Sequence, residues 1–498
     1  MKLLAVVLLV TLAVAAQAQT PNGNIADVSN FKALRSWGDS TLYQIEATTN
    51  YAVNPYLIHL VGTRYDMGYA YGHLLVDEIR DNYYSLLYSL LGGKTVENEI
   101  TIEVLGLALD WQWKNYLSIE VTPQFMMELQ GLEYGARDKG CTQCGQYVTR
   151  AIVLANAPGD LKDFIYILLR EFNSTVAELL PERSPKVEPA KGLQCSMFAV
   201  WGKRTANGQL FSGRNLDWNK DTGINKYKMV VVNVPKDSSF SSVSIGFAAL
   251  YGTIAGMSSQ GLTVHEANLE ENEISFSGFP WTLRLRYIME NAKNIDQAKE
   301  LWEATNNTVG FNHMVASGPD AENYTEGQTV ALAMETMYGY TAYFADNDER
   351  EADALYPNNA NGAHIGFPLK EAVWRTNHGY DPVIREHYEW SQSPTSWSMQ
   401  RYMFLHEAFV YYDSQNTLID YQEAVNITSI AGDKGKHAYS CEDNTDGSNV
   451  ISVTFQPHTS KSILYAAWES GSGDKWRPGV CSTYIKLEMT DWFSKPGW

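Results

Sequence analysis

Cys195 is the residue of this sequence best placed to do chemistry. There are five cysteines, at 141, 144, 195, 441 and 481. In an oxidising compartment the shortest pairing joins Cys141 to Cys144 and Cys441 to Cys481, which leaves Cys195 as the odd thiol. A lone cysteine is commonly an inert core residue, but this one directly follows PERSPKVEPAKGLQ (181–194). That stretch has three prolines, mixed charges and no apolar period. It reads as an exposed linker, where a chain is cut without unfolding its core. If the Gln194–Cys195 bond were cut, Cys195 would carry its own base, an α-amino group with an ordinary pKa of about 7.7–8.0. Arg214-Asn215-Leu216-Asp217 ends the second strand of the hairpin that Cys195 begins. Antiparallel pairing returns it beside Cys195, where Arg214 could stabilise a thiolate and Asp217 an α-ammonium. A surface Arg–Asp pair at a strand end is the plainer alternative.

Other chemistries find less support. Cys141-Thr-Gln-Cys144 has redox-motif spacing but no thioredoxin-like βαβ context, so a structural disulfide is expected. His265-Glu266 and His406-Glu407 each begin an H-E-x-x-H pattern that Leu269 and Val410 break. No metal and no cofactor is expected. There is no G-x-S-x-G elbow, no P-loop and no papain-like C-G-S-C-W context. The formal charge of −19 disfavours nucleic acid as a partner, because phosphate binding needs a basic footprint. The 14 Trp and 30 Tyr are expected mostly in cores, although they could line a glycan or lipid surface.

The elements that must position Cys195 follow from periodicity. Residues 1–18 have Lys2, an apolar run and Ala16-Gln17-Ala18, the pattern of a secretory signal peptide too short for a membrane span. Secretion or lysosomal delivery is therefore expected, with no transmembrane anchor. Sequons at Asn173, Asn306, Asn323 and Asn426 would then be glycosylated surface positions. Residues 19–180 read as mainly helical, with helices over 60–93, 122–137 and 157–180. Gly68 and Gly72 lie four apart, on one face where another backbone could approach. From 195 to 498 strands dominate, starting with a hairpin turned at Asn207-Gly208. Helices are expected over 281–304, 396–411 and 418–426, and strands over 450–455 and 462–467 close the chain. Hairpins grouped around helices imply an α+β fold, two sheets covered by helices.

The string CSMFAVWGKRTANGQLFSGRNLDW (195–218) resembles the mature-chain start of a superfamily of N-terminal-nucleophile hydrolases. Its members include choloylglycine hydrolases, penicillin V acylases, acid ceramidase, N-acylethanolamine acid amidase and the acyl-coenzyme A:6-aminopenicillanate acyltransferases. GTRYDMGYAYG (62–72) and ELQGLEYGAR (128–137) resemble blocks of the acyltransferase branch, the closest in layout. Asn268 ends GLTVHEAN where choloylglycine hydrolases have an oxyanion-binding Asn. Asn377 in RTNHGY matches the second such Asn, and Arg401 in SWSMQRYMFL matches an active-site Arg. The resemblance implies a four-layer αββα sandwich and self-cleavage at Gln194–Cys195, with the α and β chains staying associated. It implies Cys195, Arg214, Asp217, Asn268, Asn377 and Arg401 as the catalytic set.

Two positions depart from the pattern. Asn268 stands where acid ceramidase and its nearest amidase relative have Glu, and Gln194 precedes the cysteine where some relatives have Gly or Thr. The implied activity is hydrolysis of a non-peptide C–N bond in a small-molecule N-acyl amide, lipid amides among them, through an acyl-thioester. Acyl transfer from the same intermediate is one alternative. A catalytically inactive secreted binding protein retaining the fold is the other.

Overall fold

The computed structural model describes residues 23–49, 53–156, 168, 194–218, 223–269, 273, 275–355, 363–387, 396–435, 440–441 and 446–494. Residues 1–18, Asn173, the linker 181–193 and, apart from Leu168, the expected helix 157–180 lie outside that set.

The N-terminal part begins with strands: β1 (Ile25–Trp37), β2 (Ser40–Ala47) and β3 (Tyr56–Gly62). These three strands were not expected in a segment read as mainly helical, although helices make up most of its described residues. Leu57, Ile58, Leu60 and Val61 are all buried, and a short run buried on both faces carries no period that separates strand from helix. Helices α1 (Arg64–Leu74), α2 (Val76–Leu91), α3 (Val96–Gln112), α4 (Pro123–Asp138) and α5 (Cys144–Ala155) follow. Helices α3 and α5 were not expected. On α3, Val96, Ile100 and Leu107 are exposed, so its apolar residues do not form one buried stripe.

The small-residue face of α1 does meet another backbone. A Cβ at Gly68 would lie 1.7 Å from the Glu128 carbonyl oxygen, and one at Gly72 2.1 Å from that of Leu132. The fit is reciprocal, because a Cβ at Gly131 or Gly135 of α4 would lie 2.1 Å from the Tyr65 or Tyr69 carbonyl oxygen. Buried ion pairs lock the crossing, with Arg64 Nη1 donating to Glu290 Oε2 (2.7 Å) and Arg286 Nη1 to Glu128 Oε1 (2.6 Å). Backbone cannot swing aside as a side-chain tip does. Gly68→Val is therefore expected to destabilise the protein by about 3 kcal/mol or more, read as a lowered thermal unfolding midpoint beside a Lys139→Ala surface control.

The remaining strands are β4 (Gln194–Gly202), β5 (Gly208–Asp217), β6 (Lys228–Pro235), β7 (Ser242–Phe247), β8 (Ala255–Ser258) and β9 (Leu262–Asn268). After them come β10 (Phe311–Ser317), β11 (Ala331–Met337), β12 (Tyr340–Phe344), β13 (Ala372–Arg375), β14 (Asn449–Gln456), β15 (Ile463–Trp468) and β16 (Tyr484–Glu488). Strands β13 and β16 were not expected, and β16 rather than β15 closes the described strands. Hydrogen bonding runs β12-β11-β10-β9-β8-β7-β6-β3-β2-β1-β16-β15-β14-β5-β4-β13. Strand β1 joins the two halves, pairing with β2 along most of its length and with β16 at its start. Register shifts at Val28/Asn30 and Ala33/Arg35 mark bulges of the kind that bend a strand. Far apart in that order, β4 and β5 nevertheless pack against β9 and β10.

Helix α6 (Trp281–Asn291), followed by α7 (Ile295–Glu303), lies on β8 and β9. Helices α8 (Trp397–Ser414) and α9 (Tyr421–Ala431) cover the other half, α8 on β4 and β13, α9 on β5 and β14. The protein is α+β. Helix α9 starts later than expected because Asp420 caps it, accepting from the backbone N–H groups of Gln422 and Glu423 in a capping box. Disulfides join Cys141 to Cys144 and Cys441 to Cys481, and Cys195 is free. Asn306 and Asn323 are exposed, whereas Asn426 is half-buried within α9 and its sequon partner Thr428 is buried. Asn426 is thus not the surface-loop position expected of a sequon. No helix among the described residues is long and apolar enough to cross a membrane.

Candidate active site

The hairpin of β4 and β5 turns at Asn207 and Gly208, with φ of +60° and +70°, the backbone that an Asn-Gly turn adopts readily. Its register sets Gln194 opposite Asp217, Cys195 opposite Leu216 and Met197 opposite Arg214. Arg214 is then the diagonal cross-strand neighbour of Cys195 on the same face. Its Nη2 donates to Cys195 Sγ at 3.3 Å. Asp217, three residues on, projects to the opposite face, level with the Gln194–Cys195 bond. The two residues therefore lie at different places, one at the sulfur and one level with the peptide bond before Cys195.

Strand β13 pairs with β4 as far as Arg375 opposite Met197. Two residues further on, Asn377 replaces a strand partner with its side chain. Its Oδ1 accepts from the Cys195 N–H at 2.8 Å, and its Nδ2 donates to the Asn268 carbonyl at 2.7 Å. The Asn377 backbone is itself pinned, its N–H donating to Ser398 Oγ at 2.8 Å. Arg401, from the first turns of α8, donates from Nη2 to the same Asn377 Oδ1 at 2.6 Å and from Nη1 to the Cys195 carbonyl. Arg401 is not a solvated surface cation. It is completely buried, because α8 carries it in against β4. The Asn268 backbone N–H faces the Cys195 sulfur. All six expected residues thus converge on one buried cluster.

The electrostatics follow from that burial. The Cys195 thiol is pushed up to about 12, chiefly by desolvation and further by Glu266 and Asp217, while Arg214 pulls it down. At neutral pH this environment favours the thiol over the thiolate. Burial raises the Asp217 carboxyl to about 6 against the pull of Arg401. Four polar atoms of the cluster are buried without a hydrogen-bond partner: Arg214 Nη1, Asp217 Oδ2, Asn268 Oδ1 and Arg401 Nε. Buried polar groups are normally satisfied, so their concentration here marks a place built to receive another polar group.

Two further residues belong to this cluster and were not assigned to it from the sequence. Glu266 accepts from Arg214 Nη2 at 2.9 Å, and its backbone carbonyl accepts from Arg214 Nε at 3.1 Å, so it aims the guanidinium. Its place two residues before Asn268 on β9 was a signal that could have found it. Lys434, just beyond α9, is completely buried beside Asp217 and Asp433, and nothing in its local sequence announced it.

Burial raises the Glu266 carboxyl from the usual 4.5 to about 7 despite Arg214. A raised carboxyl contributes stability that is full below 4.5 and is lost as pH rises through about 7. Wild type should therefore gain stability over Glu266→Gln between pH 7.5 and pH 5, in thermal unfolding scans of both proteins. The opposite trend, or none, would show Glu266 already ionised throughout. His265 and His378 are also buried and are driven down to about 3, first by desolvation and then by Arg214 and Arg375 respectively. They stay neutral through this window. Neither His265-Glu266 nor His406-Glu407 belongs to a group of three or more metal-ligating side chains among the described residues.

Two surface grooves, one beside Tyr84, Tyr88 and Glu99 and one beside Trp113, Met126 and Gln130, lie on the N-terminal helices. Neither touches the Cys195 cluster, and with no charged residue of that cluster in their walls they are not its substrate site.

Among curated proteins, an uncharacterised protein of Archaeoglobus fulgidus is 23% identical over 271 residues, 54% of this chain and 42% of that one. Protein dcd1B of Dictyostelium discoideum is 22% identical over 276 residues, 55% and 48% of the two chains. The matches thus span less than half the length of either relative. Among solved structures, a Caenorhabditis elegans ortholog of N-acylethanolamine-hydrolyzing acid amidase aligns with a TM-score of 0.34 at 13% identity, over 53% of this chain and 93% of that one. The conjugated bile acid hydrolase of Clostridium perfringens, as a mutant, aligns with a TM-score of 0.36 at 12% identity, over 61% and 95%. The model of the acyl-coenzyme A:6-aminopenicillanic acid acyl-transferase family matches residues 204–468. That span holds Arg214, Asp217, Asn268, Asn377 and Arg401 and begins after Cys195. Matched over more than half of its 498 residues, this chain belongs to the acyl-coenzyme A:6-aminopenicillanic acid acyl-transferase family.

Proposed function

We propose that this protein is a self-processing cysteine amidase, and that Cys195 is first the agent of its own release and then the catalytic nucleophile. The observation that carries the reading is the free, buried Cys195, whose sulfur, N–H and carbonyl are held by Arg214, Asn377 and Arg401 respectively. Cys195 Sγ attacks the Gln194 carbonyl, the peptide C–N bond breaks to leave a thioester and a free α-amine, and water resolves the thioester. The new α-amine, held by the unpartnered Asp217 Oδ2, then takes the thiol proton. The thiolate attacks a substrate amide carbonyl, with the Asn268 N–H and the Asn377 amide facing the developing oxyanion. The amine leaves with a proton and water releases the acid.

The substrate class proposed is an N-acyl amide, lipid amides included. Family membership keeps acyl transfer as a second reading, in which an amine replaces water as the acceptor of the same acyl group. Two further parts of the reading have support in the fold. The four-layer sandwich is supported by helices on β8–β9 and on β4–β5, with those strands packed between them. Continued association of the two chains is supported by β3 pairing with β6 and β1 with β16 across the junction. Signal-peptide removal after Ala18, glycosylation at Asn306 and Asn323, and a secreted or lysosomal location complete the proposal. Intact-mass analysis and N-terminal sequencing of the mature protein test it, and a terminus at Cys195 is expected. A single uncleaved chain whose thiol ignores iodoacetamide would instead favour an inactive binding protein. A panel of N-acyl substrates, with and without an acceptor amine, separates hydrolysis from transfer.

A further inference from the structure

Beyond Arg375, where β13 ends, the chain leaves the ladder it shares with β4, and two other elements take up its backbone groups. From β10, the completely buried Asn312 donates from Nδ2 to the Thr376 carbonyl and to the His378 carbonyl, at 2.8 Å each. Both of its amide protons are thus spent on the carbonyls that flank Asn377. From the first turn of α8, Ser398 Oγ accepts from the Asn377 N–H at 2.8 Å, and the Ser398 carbonyl accepts from Thr376 Oγ1 at 3.0 Å. Behind Ser398 a buried chain of side chains runs inward. Ser398 Oγ lies 2.7 Å from His378 Nδ1, His378 Nε2 lies 2.7 Å from the Tyr380 hydroxyl, and that hydroxyl donates to the Ile365 carbonyl at 3.3 Å. The last bond fixes the direction of the others. A carbonyl only accepts, so Tyr380 spends its single proton there and accepts from His378 Nε2–H. Nδ1 is then bare and takes the Ser398 proton, which turns the Ser398 lone pairs to the Asn377 N–H.

We infer that Ser398, oriented by the His378–Tyr380 chain, is a positioning residue that holds the Asn377 side-chain amide at Cys195 in the geometry the oxyanion needs. This rests on the reading of the site given above. Asn377 reaches Cys195, Arg401 and Asn268 with its side chain, so the aim of that amide depends on how its backbone is held. The Thr376 carbonyl and the Asn377 N–H belong to one peptide plane and point in opposite directions. Asn312 and Ser398 therefore grip that plane from its two edges. Satisfying buried backbone groups is the plainer role for such a clamp. One N–H needs only an acceptor, however, whereas this serine is itself oriented by a buried imidazole and a buried phenol. A shift there passes directly to the reacting atoms, where a misplacement of about 1 Å can cost about 10²-fold in rate.

The test measures kcat and KM of wild type, Ser398→Ala, Asn377→Ala and the double variant, in the full chain, on a fatty-acyl aminomethylcoumarin amide. Ser398→Ala is expected to lower kcat about 10-fold with KM unchanged, and Ser398→Thr, which keeps the hydroxyl, to recover most of it. In the Asn377→Ala background the same substitution should change kcat by less than about twofold, because the amide it positions is gone. A serine with only a structural role would lower the unfolding midpoint and leave kcat per folded molecule unchanged. A folded Ser398→Ala with wild-type kcat, or an equal fall in both backgrounds, overturns the inference. If Ser398→Ala does not fold, His378→Leu is compared with His378→Asn. Leucine removes the acceptor of the Ser398 proton and should lower kcat, whereas asparagine sets an oxygen near the place of Nδ1 and should recover most of it. Equal values in the two overturn the inference. A wild type inert towards the probe, or an Asn377→Ala protein with wild-type kcat, defeats the site reading and this inference together. A lowered kcat in Asn377→Ala beside wild-type kcat in Ser398→Ala defeats the inference alone.

Discussion

Cys195→Ala is expected to remain one chain and to lose activity by roughly 10⁴-fold or more, the scale seen when a covalent catalyst loses its nucleophile. Both losses follow from one atom, because the sulfur that would open the Gln194–Cys195 bond is the sulfur that would carry the acyl group. Fold loss is not the expected cause. Cys195 lies on an interior strand with its N–H bonded to Asn377 and its carbonyl to Arg401, and alanine keeps both backbone contacts. Reducing gel electrophoresis, intact mass and a substrate assay on the same preparation give the check. A Cys195→Ala protein still cut at 194/195 would assign the cleavage to an outside protease. Retained amidase activity would remove Cys195 from the chemistry.

Asn377→Ala should show the second-largest effect, a fall in kcat of about 10²–10³, with processing slowed in parallel. Its side chain joins two backbones and a guanidinium that are distant in sequence. Oδ1 accepts from Cys195 N–H and Arg401 Nη2, while Nδ2 donates to the Asn268 carbonyl. Alanine leaves the Arg401 guanidinium without that acceptor and removes the donor proposed above to face the oxyanion. Asn377→Asp keeps the acceptor but loses the donor, so its activity should stay low while Arg401 remains held. Steady-state kinetics on cleaved protein and a time course of cleavage read the two effects separately. A kcat within a fewfold of wild type in Asn377→Ala would show that this amide only shapes the fold.

How much of this was legible beforehand depended on how local each signal was. The hairpin turn at Asn207-Gly208, the α+β class and the helix-packing glycines were readable, because turn chemistry, period and small size act within a few residues. Strand β3 was not read, since a run buried on both faces has no period. Strand β13 was not read at all, because four residues carry too little pattern, yet its register is what delivers Asn377 to Cys195. Arg401 was marked only by the family block that contains it. Its complete burial comes from packing of α8 against β4, which no pattern on the helix itself states.

By itself, the sequence determined the odd cysteine, the Arg214–Asp217 spacing that a two-residue strand period splits between two faces, and the ordered blocks that signalled the family. Those are properties of neighbours along the chain, and covalent geometry decides them. Only the tertiary structure decided that Glu266 aims Arg214, that Asn377 ties Cys195 to Asn268, and that Lys434 lies buried beside Asp217 and Asp433. Each joins residues tens to hundreds of positions apart. Their charge states are set by desolvation, and desolvation exists only once distant elements have closed over them.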